Sequence, residues 1–220
     1  MAIPTNSTVE PSRRDTSAEE FASAITHGMG SVLAIAGLVL LVLRSAETGD
    51  PFRIVGFTVF GASMVLLYLA STLCHALAHT RAATLLRIAD HALIYFLIAG
   101  TYTPVLLLNL RGPWGWSFLG IVWTLALAGI VFKVLSACRF DRVSTALYLA
   151  MGWIGLFAAG PLLAKVPSSA LAWFLAGGLA YTGGTFFYLC HRLKYHHAIW
   201  HAFVLAGTGC HFTAIYGHIG

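Results

Sequence analysis

The chain has 220 residues, 58% of them hydrophobic and only 10% charged, with a mean hydropathy of +0.80. An ordinary soluble domain is about a quarter charged, so a water-soluble globule is excluded. The formal net charge of +5 comes from 13 basic and 8 acidic residues with no contiguous basic run, which excludes a nucleic-acid-binding patch.

Seven stretches lack any Asp, Glu, Lys or Arg: 21–43, 54–80, 91–110, 112–132, 143–164, 166–191 and 195–220. Each is long enough, at about 1.5 Å per helical residue, to cross a hydrocarbon layer about 30 Å thick. Runs such as 33–41 do not alternate in polarity as the strands of a membrane barrel would. The expected fold is therefore all-α, an integral membrane bundle of seven transmembrane helices. Residues 1–20 form a polar tail and residues 21–220 one membrane domain, with no room for a second domain or long loops.

The tail is mixed in charge, and the apolar run after it is longer than a signal-peptide core, so the first span reads as an uncleaved anchor. With seven spans the termini face opposite sides. Arg13, Arg14, Arg81, Arg87, Lys133, Arg139, Arg142, Arg192 and Lys194 fall on the N-terminal side; Arg44, Arg53, Arg111 and Lys165 fall on the other. The excess of bases predicts a cytoplasmic N-terminus. The Asn6-Ser7-Thr8 glycosylation pattern then lies on the wrong side to be used.

The second span runs inward and ends with Ser71 and, one helical turn later, His75. The third opens on the same side with Asp90 and His91, and carries Pro104 inside it. Trp114 and Trp116 near the start of the fourth span, and Trp173 in the sixth, read as interfacial belt residues. Pro161 interrupts the fifth span, where it is expected to kink a helix or open a cavity. Gly177-Gly178, Gly183-Gly184, Gly207 and Gly209 fit close packing of the last two spans. Cys74, Cys138 and Cys190 fall near inner span ends and Cys210 in the seventh span. Disulfides are not expected, and no Cys-x-x-Cys pair supports a thiolate site.

The seventh span opens with His197 and His201, four residues apart, so both imidazoles project from one helical face. Topology brings His75, Asp90, His197 and His201 to one side of the membrane. A single histidine at a span end more often packs or sits at the interface. Three spans converging are different: His75, His197 and His201 offer three neutral nitrogen ligands to one metal ion and leave a fourth position open, the pattern of catalytic sites. Asp90, with Ser71 beside it, is placed to take a proton, orient water or hold a ligand imidazole. His79, His191 and His196 are expected in inner loops and His211 and His218 toward the outer side; no role is assigned to His27, His91 or His211.

Taken in order, these elements resemble the bacterial hemolysin III family, part of the progestin and adipoQ receptor family, within a superfamily of membrane hydrolases that includes alkaline ceramidases. The residues carrying the likeness are Glu20 with Thr26-His27-Gly28, then Ser71 to His75, Arg87 to His91, and His197 to Phe203. The resemblance implies a bacterial cell membrane, an N-terminus inside, zinc held by His75, His197 and His201, and water near Asp90 and Ser71. It also implies a membrane lipid as substrate or ligand. Two functions follow as expectations: a zinc-dependent hydrolase of lipid amides or esters with Asp90 as base, or a non-enzymatic zinc protein of membrane lipid homeostasis or sensing. A cytolytic activity, as the family name suggests, requires a water-soluble form that seven apolar spans do not provide.

Overall fold

A computed structural model describes residues 16–219. The polar tail up to residue 15, including Arg13, Arg14 and the Asn6-Ser7-Thr8 pattern, lies outside the described residues. The elements are α1 (Ser17–Ala46), α2 (Pro51–Ala76), α3 (Ala83–Leu108), α4 (Pro113–Ser136), α5 (Asp141–Gly152), a 3-10 turn (Ile154–Ala158), α6 (Ala159–Lys165), α7 (Ser168–Leu189) and α8 (His196–His218). Among the described residues there is no strand, and seven helical segments are long and apolar enough to cross a membrane.

Local chemistry starts these helices where they start. Thr16 caps α1: its hydroxyl accepts from the Glu19 amide at 3.3 Å while the Glu19 carboxylate accepts from the Thr16 amide at 2.8 Å. Asp50 accepts from the Phe52 amide ahead of Pro51, which begins α2. Gly112, at φ +141, turns the chain into Pro113 and α4.

Successive helices pack side by side from α1 to α4, α7 packs along α8, and α8 returns to α1. The third helix lies deepest and contributes to both apolar cores. One core gathers Leu41, Phe57, Phe60, Tyr68, Leu97 and Ile215; the other gathers Tyr95, Leu106, Phe118 and Val122. Faces turned outward carry Val, Leu, Ile and Phe, whereas buried faces are small or polar, such as Ser23, His27, Ser31, Ala34 and Gly37 on α1. That pattern suits a bilayer, where close approach rather than water exclusion drives helices together. The last two spans show it most clearly: a side chain at Gly177 would collide with the His211 ring, and one at Gly207 with the Tyr181 ring.

Helix ends differ from the charge-free runs. The third helix begins at Ala83, eight residues before its run, so Arg87 and Asp90 lie within it. Lys133, counted above among the bases on the N-terminal side, is fully buried in the last turn of α4 and paired with Asp141 at 3.1 Å. Charge-free runs mark the membrane core, but a helix continues beyond it wherever its polar side chains find partners.

The two prolines behave differently. The helix of α3 continues through Pro104, where α2 comes so close that Gly56 has no room for a side chain against the Pro104 backbone. The fifth span breaks one turn ahead of Pro161, whose ring excludes a regular carbonyl at residue 157. Tyr102 of α3 fills the gap: its hydroxyl donates to the Gly152 carbonyl at 2.5 Å and accepts from the Gly155 amide at 3.1 Å. Backbone groups freed inside a membrane require such a partner. Tyr102→Phe leaves both unpaired and should lower stability by about 1–3 kcal/mol. Thermal unfolding in detergent micelles reads this directly, and an unshifted midpoint would contradict the role of Tyr102.

Candidate metal centre

The site forms where the C-terminal turn of α2 meets the first turns of α8, with α1 packed against both. His75 lies in the last turn of α2. Tyr195, in left-handed conformation at φ 58, leads into α8, and its amide donates to the Glu19 carboxylate at 3.1 Å, which ties the start of α8 to α1. His197 and His201 then follow on one face.

The three imidazoles form a nearly even triangle. Ring centroids are 4.8 Å apart for His75 and His197, 4.9 Å for His75 and His201, and 4.6 Å for His197 and His201. The rings are tilted by 59–70° to one another, so they fan around a common centre instead of stacking. One nitrogen from each lies within 4.8 Å of the other two.

The first helix sets which nitrogen points inward. The Nδ1 of His75 is 2.7 Å from the Glu20 carboxylate, and the Nδ1 of His201 is 3.2 Å from the Ser23 carbonyl. Both partners are acceptors, so each Nδ1 carries the proton and donates, and each Nε2 keeps its lone pair. The Nε2 of His75 is buried with no protein partner. A buried nitrogen lone pair without a donor, beside two more imidazoles and backed by a carboxylate, suits a divalent metal that prefers nitrogen ligands.

Around this triangle, His27 of α1 stacks on His201 with centroids 3.5 Å apart and planes 11° apart, and the Tyr68 ring meets His27 edge-on. Ser71 is fully buried one turn before His75, and its hydroxyl has no protein partner. Asp90 is buried on α3, and its carboxylate lies 3.5 Å from the Nδ1 of His91. That nitrogen lies closer, at 2.9 Å, to the Arg87 carbonyl; the His91 Nε2 is 3.2 Å from the Tyr188 hydroxyl, and the Tyr188 ring packs on His197. The structure thus brings His75, His197 and His201 together, sets Ser71 one turn before His75 on α2, and places Asp90 on α3 beside His91.

Several residues here were not assigned a role from sequence. Glu20 and His27 are seven apart, two helical turns, and that spacing alone puts them on one face of the first span. Their partners are 55 and 174 residues away, and no local pattern indicates them. His196, expected in a loop, is the first residue of α8 and is buried, with its ring against His191. His211 is a packing residue in α8, with Nε2 on the Phe174 carbonyl at 3.2 Å.

Known proteins resemble the chain over most of its length. A family model described as haemolysin-III related matches residues 16–212. The chain is 47% identical over 197 residues to Hemolysin-3 of Bacillus cereus, covering 90% of each chain. It is 48% identical over 197 residues to a Hemolysin-3 homolog of Bacillus subtilis (strain 168), covering 90% of this chain and 92% of the relative. A human protein, monocyte to macrophage differentiation factor, is 28% identical over 210 residues, covering 91% of this chain and 84% of its own.

Removing the carboxylate behind His75 should weaken metal binding without removing a donor. Glu20→Gln is expected to lower affinity by about 10–100-fold, while His197→Ala and His201→Ala should each lower the metal content of the purified protein. Competition titration against a chromophoric chelator and elemental analysis measure the two effects. Wild-type stoichiometry in both histidine variants would rule out the three-imidazole site.

Proposed function

The chain belongs to the haemolysin-III-related family of multi-pass membrane proteins, and from that premise we propose that it is a zinc-dependent hydrolase of membrane lipid amides or esters. The carrying observation is the partnerless, inward-facing Nε2 of buried His75 within a fan of three imidazoles. His75, His197 and His201 would hold the ion. When bound, zinc supplies Lewis-acid polarisation of an acyl carbonyl and acidifies water.

The chain's own groups would do the rest. Glu20 and the Ser23 carbonyl hold two imidazoles in the donor tautomer. Asp90 takes a proton as the water oxygen bonds to the acyl carbon, then returns it to the departing amine or alkoxide as the carbon–nitrogen or carbon–oxygen bond breaks. Ser71, buried and without a protein partner, donates a hydrogen bond to the substrate oxygen. The substrate class follows from the setting: the site is enclosed by apolar helices, so the ligand that reaches it most readily is a lipid. The excess of bases at this end, with Arg81, Arg87, Arg139, Arg142, Arg192 and Lys194 among the described residues, supports a site toward the cytoplasm.

One observation favours a second reading, a non-enzymatic zinc protein of lipid homeostasis or sensing. The Asp90 carboxylate faces His91 and is not a member of the three-histidine group. The two readings separate on purified protein in defined lipids. Asp90→Ala is expected to keep its zinc and lose turnover of a lipid amide or ester about 100-fold or more. Wild type that binds zinc yet hydrolyses neither class would overturn the hydrolase.

A further inference from the structure

The end of the bundle opposite the histidines carries a second, separate feature. Helices α2 and α4 flank α3, and between them an open crevice of about 340 Å³ runs along the membrane-facing surface. Phe52, Val55 and Val59 of α2 form one wall, Leu107 of α3 the floor, and Trp116 and Trp123 of α4 the other wall. Two polar groups border it, and each is already satisfied. The Trp123 indole donates to the Thr103 hydroxyl at 3.2 Å, and that hydroxyl donates to the Ala99 carbonyl at 2.8 Å. What remains is hydrocarbon surface, which takes a hydrocarbon occupant.

The mouth of the crevice is cationic. Arg111, exposed in the α3–α4 connection, has its guanidinium carbon 3.6 Å from the centre of the Phe52 ring, and that ring meets Trp116 at 5.8 Å. The turn at Gly112, in a backbone conformation that side chains rarely adopt, lets the connection fold back over α2. Among the described residues the Arg111 guanidinium pairs with no carboxylate. Trp114 and Trp116 stand exposed at the same end, at the depth where headgroups sit.

We propose that this crevice is a binding site for one anionic diacyl phospholipid, with an acyl chain between Val55, Val59 and Trp123 and its phosphate on Arg111. The planar guanidinium, preset on the Phe52 ring, forms paired hydrogen bonds to phosphate oxygens. A net negative headgroup is preferred because Arg111 forms no ion pair with a carboxylate among the described residues. The site is independent of the histidine centre.

Native mass spectrometry of the full chain tests this, with matched-chain phosphatidylglycerol and phosphatidylcholine supplied in equal amounts. Wild type should retain phosphatidylglycerol with about fivefold preference. Arg111→Gln should abolish that preference, and Val55→Trp, which fills the crevice from an exposed position, should reduce retention of both lipids. No preference in the wild type, or one unchanged in both variants, would overturn the proposal. Displacement of the lipid by millimolar glycerol phosphate, with Val55→Trp without effect, would overturn it too, by showing an anion site without a chain site.

Discussion

Two hydrogen bonds from α1 organise the functional end of this molecule. The Glu20 carboxylate holds the Nδ1 of His75, and the Ser23 carbonyl holds the Nδ1 of His201. Each bond fixes a ring and its tautomer, and so decides that Nε2 faces the centre. The same helix also reaches the third histidine indirectly, because Glu19 holds the Tyr195 amide from which α8 starts. A helix that donates no imidazole to the triangle therefore aligns all three. Its capping box at Thr16 matters for that reason: it fixes where Glu19 and Glu20 fall on the first turn.

The membrane setting explains why so much of the chain serves this alignment. Buried polar groups have no water to turn to, so each must be met by another part of the protein. Tyr102 meets the broken fifth span, Asp141 meets Lys133, Tyr188 meets His91, and two tyrosines, Tyr68 and Tyr181, share the Thr208 hydroxyl at 2.7 Å each. Small residues at the α7–α8 contact let backbones approach, and the outward faces stay apolar. At the histidine end the His75 Nε2 and the Ser71 Oγ are buried and lack protein partners, and there the three imidazoles converge.

Much of the fold is legible in the amino-acid sequence because the membrane imposes a length and forbids charge within it. All seven spans, the pairing of His197 with His201, and the meeting of both with His75 follow from charge-free runs, helical period and alternating direction. Legibility ends where packing decides. The start of α3 precedes its charge-free run, and there Asp90 lies buried against His91. Lys133 directly follows a charge-free run yet is fully buried, because Asp141, eight residues on, turns back to meet it. Pro161 signals a fault in the fifth span, but not that Tyr102 repairs it. Glu20 and His27 share a face by spacing, but their partners on α2 and α8 are known only once the helices are packed.

X-ray absorption at the zinc edge, on the zinc-loaded full chain, tests the central claim most directly. Three imidazole nitrogens and a lighter fourth neighbour, all about 2.0–2.2 Å from the metal, are the predicted first shell, with one imidazole fewer in His201→Ala. A sulfur neighbour near 2.3 Å, or a shell with no imidazole scattering, would contradict the assignment of His75, His197 and His201 as the metal centre.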